Sequence, residues 1–154
     1  MTQLALKNLS KSFGAHKVFD KLELAAGDGE IVVIFGGSGT GKTILLRLIA
    51  GVAEPTSGLI EINGNDVTDV APEHRGVGMA FQNFALFPHM SAWENIATPL
   101  RAQKATAEAV KAGVEKVAKL LKIDHVLAHA PRELSNGQKQ RTALARALAA
   151  EPRI

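Results

Sequence analysis

The sequence predicts an α/β fold in which a β-rich first half is followed by a helical second half. Two early segments alternate apolar and polar residues, as half-buried strands do. A short β-branched apolar run then leads into a glycine-rich loop and an apolar helix. After Pro88 the apolar residues recur at helical spacing, and the 154 residues allow one domain with a modest core.

Five segments up to residue 81 are predicted to be strands. Residues 3–9 and 18–25 alternate apolar and polar side chains, which indicates two half-buried strands. The continuous run IVVIF, Ile31–Phe35, is typical of a strand that is buried on both faces. Residues 58–67 predict a strand that enters an Asn-Gly turn, and residues 76–81 predict a further strand.

Three helices are predicted with their boundaries. The helix after the glycine-rich loop should be largely buried and should end at Gly51. A second helix over 107–122 has Thr106 as its N-cap. The apolar residues of these two helices are Ile44, Leu45, Leu46, Leu48 and Ile49 in the first, and Val110, Val114, Val117 and Leu121 in the second.

The third helix is predicted from the stretch ELSNGQKQRTALARALAAEP. Ser135 and Gln138 have the spacing of a capping box, and the helix should stop before Pro152. Gly137 is a poor helix former in a first turn unless another group must approach its backbone closely. A well-capped helix without further function remains the alternative for this stretch.

Composition narrows the class of protein. Hydrophobic residues make up 46% and charged residues 21% of the chain, as in soluble globular proteins, and the net charge is +3. Without a run of consecutive lysines and arginines, nucleic acid is not an expected partner. The absence of cysteine excludes disulfides and thiolate metal sites. With no signal peptide and no apolar stretch long enough to span a bilayer, we expect a soluble cytoplasmic chain.

The loop GGSGTGKTI matches the phosphate-binding pattern G-x4-G-K-T. Glycines let backbone N–H groups approach phosphate oxygens, and the following helix presents its positive end to the same anion. Lys42 would reach the terminal phosphates, and the Thr43 hydroxyl would ligate Mg²⁺. A glycine-rich turn without a ligand is the alternative. The predicted phosphate-binding residues are Gly36, Gly37, Ser38, Gly39, Thr40, Gly41, Lys42, Thr43 and Ile44.

The order of three motifs resembles that of the ATP-binding subunits of ABC transporters. After the phosphate loop, FQNFALFPHMSAWENI (81–96) resembles the segment around the family's Q-loop glutamine, and LSNGQ (134–138) resembles its signature LSGGQ. The stretches RGVGMAFQ and FPHMSAWENI have close counterparts in the maltose-type carbohydrate importers. The likeness covers essentially the whole chain.

The resemblance implies a P-loop ABC ATPase fold with an antiparallel β subdomain and an inserted helical subdomain. It implies a β subdomain and P-loop core over 1–87, a helical subdomain over 88–135 and a signature helix over 135–150. It also implies ATP and Mg²⁺ as cofactors. The expected partners are a second ATPase subunit in a head-to-tail dimer and the permease subunits, at the cytoplasmic face of the membrane.

Further residue roles come from the resemblance alone. Phe13 would stack on adenine, with core packing as the alternative. Gln82 would contact Mg²⁺ and the attacking water, and the apolar run Phe84–Met90 would help to form the groove for the membrane subunit. Without the family, that run would be predicted to be buried core. The residues that would address ATP on a second subunit are Ser135, Asn136, Gly137 and Gln138.

The sequence departs from the family pattern at several places. Ile44 replaces a hydroxyl residue, Asn136 replaces the first signature glycine, and Gly37 stands where proline is common. The family's catalytic glutamate, its magnesium-organising aspartate and its histidine switch belong to segments that would follow Ile154. We therefore expect a truncated subunit that binds MgATP and hydrolyses it poorly. The alternatives are a regulatory fragment that only binds nucleotide, and a soluble ABC protein of translation or DNA repair.

Overall fold

The structure is a computed structural model that describes residues 2–154, and the chain divides into two compact units. The first unit ends at Val77 and the second begins at Gly78. The first contains the strands and one helix, whereas the second contains three helices. No described helix has both the length and the apolar character needed to cross a bilayer.

The first unit is built on a four-stranded antiparallel sheet with the order β2-β1-β3-β4. Its strands are β1 (Thr2–Phe13), β2 (His16–Gly27), β3 (Ser57–Ile62) and β4 (Asn65–Asp66). This confirms the two alternating strands and the strand after residue 58.

The predicted Asn-Gly turn between β3 and β4 is also confirmed. Asn63 has φ 51° and Gly64 has φ 75°, the left-handed values that a tight two-residue hairpin requires.

An irregularity in β1 determines which of its residues are buried. Leu4 and Leu6 are buried at alternate positions, and then Leu9 is buried instead of residue 8. The pairing register shifts between Leu6 and Leu9 against β2, and between Lys7 and Ser10 against β3. Asn8, inside this stretch, has φ 50°. This bulge changes the alternation by one residue, so that Leu9 points to the same face as Leu6.

The helix of the first unit, α1 (Lys42–Ile49), follows the glycine-rich loop. It ends as predicted at Gly51, which has φ 78°, and the N–H of Val52 donates to the Arg47 carbonyl at 2.9 Å. The expectation of a largely buried helix is wrong for Leu46, which is 46% exposed. The helix buries one side only, through Leu45, Leu48 and Ile49.

Two predicted strands are absent from the described chain. Ile31–Phe35 has no strand structure, and Ile31 and Phe35 are 89% and 90% exposed. Residues 76–81 form no strand either, although the N–H of Gly78 donates to the Ile154 carbonyl at 2.7 Å. A strand needs a ladder of backbone hydrogen bonds with a neighbour. Within residues 2–154, Ile31–Phe35 has no such neighbour, and residues 76–81 have a single backbone hydrogen bond to a segment distant along the chain.

The second unit is a helical cluster around an apolar core. Its helices are α2 (Ala92–Ala102), α3 (Ala107–Leu120) and α4 (Asn136–Ala149), and short 3₁₀ helices lie at Asp124–Val126 and Pro131–Glu133. A further 3₁₀ helix, Pro72–His74, belongs to the first unit. The core takes residues from all three helices, including Ile96, Val114 and Ala145, each at 0% exposure.

The second unit confirms the sequence predictions for its helices. The Thr106 hydroxyl accepts a hydrogen bond from the N–H of Ala109 at 3.3 Å and so caps α3. Val110, Val114 and Val117 are buried, as the stripe predicted. At α4 the capping box of Ser135 and Gln138 is present in both directions, and the helix ends before Pro152.

Candidate functional site

Glycines determine the shape of the loop that precedes α1. Gly39 and Gly41 have φ 81° and 92°, in the left-handed region that side chains disfavour. A Cβ at Gly41 would lie 2.6 Å from Val18 Cγ1 and 2.8 Å from Phe19 Cζ, both on β2. A Cβ at Gly36 would lie 2.8 Å from Thr40 Oγ1. The loop therefore curls on itself and begins α1 close against β2.

Lys42 closes this loop with its side chain. Its Nζ donates to the Gly36 carbonyl at 2.8 Å and to the Gly37 carbonyl at 2.6 Å. The Thr40 hydroxyl donates to the same Gly37 carbonyl at 3.0 Å. A single ammonium group is thus held over the loop, where it would meet any anion that the loop receives.

The backbone N–H groups of the loop are available. Between residues 36 and 43, no N–H group donates a hydrogen bond of good geometry to any residue among 2–154. Gly41 supplies no side-chain cap to α1, and the first turn contains no acidic residue. The positive end of α1 is therefore open to a negatively charged ligand.

The other side chains around the loop fit a phosphate ligand to different degrees. Ser38 and Thr43 are exposed, so both hydroxyls are accessible. Ile44 is partly buried and offers no hydrogen bond where a hydroxyl residue would offer one. Gly37 is exposed, and a Cβ built on it would meet nothing within 4 Å. Its lack of a side chain is not required by the packing of the chain.

Phe13 lies in the same unit, at the end of β1. It is 55% exposed, which excludes the alternative of core packing. The Lys11 Nζ lies 4.8 Å from the centre of its ring. An exposed ring of this kind can stack on a planar ligand, but its role in binding adenine remains a prediction.

Gln82 lies in the second unit and is exposed. It occupies a turn that is closed by a hydrogen bond from the N–H of Phe84 to the Phe81 carbonyl at 2.9 Å. The apolar run that follows is not buried core, since Phe87 is 43% exposed. The roles predicted for Gln82 and for this run are therefore compatible with their exposure, and both remain predictions.

The signature segment, Leu134–Gln138, forms the start of α4. The Ser135 hydroxyl accepts from the N–H of Gln138 at 3.3 Å, and the Gln138 Oε1 accepts from the N–H of Ser135 at 2.8 Å. Asn136 and Gly137 are exposed, and a Cβ at Gly137 would meet nothing within 4 Å. The packing of this chain therefore gives no reason for a glycine at position 137.

Three polar side chains that are buried or partly buried were not identified from the sequence. Arg75 is 5% exposed and donates to the carbonyls of Val70, Thr68 and Leu48 at 2.7, 2.7 and 2.9 Å. Burial lowers the pKa of the Arg75 guanidinium. Because Leu48 lies in the last turn of α1, Arg75 also places a positive charge at the negative end of that helix.

The other two, Asn95 and Arg146, lie in the second unit. Asn95 is 0% exposed, and burial lowers the pKa of the Arg146 guanidinium. A sequence signal exists for each: an amide lies inside an apolar helix stripe, and a lone arginine lies within the apolar stretch ALARAL. Neither signal reveals which group the side chain binds.

The described residues contain no cluster of three or more histidine, cysteine, aspartate or glutamate side chains that could hold a metal ion. Any magnesium ion at the loop would take oxygen ligands, as Mg²⁺ does in proteins. The exposed Thr43 hydroxyl, in the first turn of α1, fits such a ligand set.

Comparison with known proteins gives consistent matches over nearly the whole chain. The sequence profile of the ABC transporter family matches residues 19–154. The chain is 44% identical to the sn-glycerol-3-phosphate import ATP-binding protein UgpC of Psychromonas ingrahamii, with 100% of this chain and 42% of that protein covered. It is 45% identical to the glucose import ATP-binding protein GlcV of Saccharolobus solfataricus, with 100% and 46% covered. The chain thus spans less than half the length of these curated relatives.

A solved structure is similar over most of the chain. It is a dimeric, post-hydrolysis state of the ATP-binding cassette MJ0796 bound to ADP and Pi, with a TM-score of 0.87 and 31% sequence identity. The match covers 97% of this chain and 70% of that one.

Proposed function

Because the chain belongs to the ABC transporter family, we propose that it forms the nucleotide-binding part of an ATPase subunit that energises solute import. The observation that carries the proposal is the loop from Gly36 to Thr43, with its open N–H groups and the ammonium of Lys42. These groups match the charge and the oxygen atoms of a nucleotide's phosphates.

Binding of MgATP would change the bonds of Lys42. In the described structure its ammonium donates to the carbonyls of Gly36 and Gly37. A phosphate oxygen is a stronger acceptor than a peptide carbonyl because it carries negative charge. Lys42 would therefore turn towards the phosphates, while the N–H groups of the loop and of the first turn of α1 donate to them.

The Thr43 hydroxyl and the phosphate oxygens would hold Mg²⁺, which neutralises the charge that develops on the phosphates during transfer. Gln82 is proposed as a further contact to Mg²⁺ and to the attacking water, as the family resemblance predicts. Phe13 is proposed to stack on the adenine, and its exposed ring supports this.

A second copy of the subunit is proposed as the partner of the signature segment. The exposure of Ser135, Asn136 and Gly137 supports this, as does the free space around Gly137. A similar cassette was solved as a dimer. The capping box uses the Ser135 oxygen as an acceptor and leaves its hydroxyl proton able to donate to a phosphate.

The transported solute is proposed to be a sugar or a sugar-like molecule. The similar proteins named above import glycerol-3-phosphate and glucose, whereas another, PotA of Marinobacter nauticus at 41% identity, imports spermidine and putrescine. Permease subunits would then place the protein at the cytoplasmic face of the membrane. The run Phe84–Met90, in which Ala85 and Phe87–His89 are exposed, is the proposed contact with them.

Nucleotide binding can be tested with one variant and a matched control. Lys42→Ala should weaken MgATP binding by about tenfold to a hundredfold, which is the loss expected for a charge-assisted hydrogen bond. Lys111→Ala removes the same charge from an exposed site on α3 and should leave the affinity unchanged. Equal affinities for both variants, measured by calorimetry, would overturn the proposal.

A measurement of ATP turnover separates two versions of this proposal, a subunit that hydrolyses ATP and a chain that only binds it. Phosphate release from bound MgATP identifies a subunit that hydrolyses ATP, and its rate measures how well. If MgATP binds in a Lys42-dependent manner but no phosphate appears, the chain acts by nucleotide binding alone.

A further inference from the structure

Arg146 is a partly buried arginine whose hydrogen bonds go to backbone carbonyls. It lies on α4, about two turns after the signature segment. Its Nη1 donates to the Ala85 carbonyl at 2.8 Å, and its Nη2 donates to the Phe84 carbonyl at 3.2 Å. Its guanidinium carbon also lies 5.5 Å from the centre of the Phe87 ring. Arg146 therefore binds the residues directly after Gln82 and Asn83.

These residues have an unusual backbone conformation. Phe84 and Ala85 have φ 62° and 46°, left-handed values that residues with a Cβ seldom adopt. Two short turns alone support them locally, through the bonds of Phe84 N–H to Phe81 and of Ala85 N–H to Asn83. Such a pair of left-handed residues persists only where surrounding groups hold it.

Asn95 holds the other end of the same segment. Its Oδ1 accepts from the N–H of Phe87 at 2.8 Å, and its Nδ2 donates to the carbonyls of Phe87, Met90 and Ser91 at 3.2, 3.1 and 2.9 Å. Arg146 Nη1 lies 3.5 Å from the same Oδ1. The segment is thus bound by one side chain from α2 and one from α4.

We propose that Arg146 is a positioning residue that holds the left-handed turn at Phe84 and Ala85. By holding this turn, it sets the direction in which the Gln82 side chain projects from the backbone. This inference rests on the proposed function only in one respect, that Gln82 contacts Mg²⁺ and the attacking water. The guanidinium suits the task because it is planar and presents two N–H groups to two adjacent carbonyls. A lysine ammonium has no such fork.

The test uses the complete chain and the variants Arg146→Ala and Arg146→Lys. Arg141→Ala removes an exposed arginine from the same helix and serves as the control. The amide N–H groups of Phe84, Ala85 and Phe87 should exchange with solvent about tenfold faster or more in both Arg146 variants. The amide of Val114, in the core, should not change, and neither should any of these amides in Arg141→Ala.

Chemical rescue distinguishes positioning from simple packing. Ethylguanidinium, added at millimolar concentration to Arg146→Ala, should restore slow exchange at Ala85 and the wild-type resonance of the Gln82 side-chain amide. Ethylammonium, which has the same charge without the fork, should restore neither. Unchanged exchange in Arg146→Ala, or equal rescue by both cations, would overturn the inference. These results do not depend on MgATP, so a failure of nucleotide binding is separately recognisable.

Discussion

The two helix starts that carry the proposed function, those of α1 and α4, are built in opposite ways. The start of α1 has a glycine with φ 92° before it and no side-chain cap. The start of α4 is closed by a reciprocal capping box between Ser135 and Gln138. One positive helix end is therefore available to a ligand, whereas the other already has part of its N–H groups bonded.

The glycines at these two starts also differ. Gly41 is required by the fold, because its φ is left-handed and a Cβ would overlap β2. Gly137 is not required, because nothing lies near the place where its Cβ would be. A glycine that packing demands is a structural residue, and one that packing does not demand is a candidate for contact with something outside the chain.

The largest expected effect follows from this difference. Gly41→Ala should destabilise the first unit by about 2–5 kcal/mol, the sum of a left-handed alanine and an overpacked contact with Val18 and Phe19. Gly137→Ala should stabilise α4 by about 0.5–1 kcal/mol, because alanine is the better helix former. Chemical denaturation of both variants measures these changes. A loss of stability in Gly137→Ala would contradict the comparison.

The second expected effect comes from the open end of α1. Tripolyphosphate at about a hundred times its dissociation constant should stabilise the chain by about 2.7 kcal/mol, since it binds only the folded loop. The same concentration of tripolyphosphate should stabilise the Lys42→Ala variant much less. Thermal unfolding at constant ionic strength measures the difference. Equal stabilisation of both proteins would place the anion somewhere other than this loop.

The third expected effect concerns the capped helices. Ser135→Ala removes the N-cap of α4 and should cost about 1 kcal/mol of stability. Thr106→Ala removes the N-cap of α3 and should cost a similar amount, so it is the matched structural control. In a dimer with bound ATP, only the Ser135 change should weaken association. Equal dimerisation of the two variants would remove Ser135 from the nucleotide site.

The smallest expected effect is a pH dependence at a third capped helix, α2. Hydrogen bonds from the Ser91 N–H and hydroxyl lower the pKa of the Glu94 carboxyl. The stabilisation from Glu94 is therefore complete above its unfolded pKa, and it is lost as the pH falls through the lowered folded value. Glu94→Gln keeps a hydrogen-bond acceptor that does not titrate. The free energy of unfolding of this variant should therefore fall less steeply than that of the wild type as the pH is lowered. Identical acid curves for wild type and Glu94→Gln would contradict this role.

The capped helices could be predicted from the sequence because their signals are local. Thr106, Ser135 and Gln138 satisfy backbone groups within three residues, so their roles follow from spacing alone. The glycine-rich loop was predicted for the same reason, and the family resemblance is confirmed by the profile match over 19–154.

The absence of strand structure at Ile31–Phe35 and 76–81 could not be predicted in this way. Their apolar character is a necessary condition for a buried strand, but hydrogen-bonded neighbours decide whether one forms. The contacts of Arg75, Asn95 and Arg146 were also beyond the sequence. Each of these side chains binds backbone groups of another segment of the chain. A backbone group is the same at every residue, so the sequence carries no pattern that identifies the partner.

The central claim is that the N–H groups between Gly36 and Thr43 receive the phosphates of a nucleotide. The most direct measurement is an NMR titration of the isotopically labelled chain with MgATP, at a concentration where it is monomeric. The account predicts that the amide resonances of residues 36–43 shift most and that those of residues 136–138 stay in place. Unmoved resonances at 36–43 under saturating MgATP would contradict it.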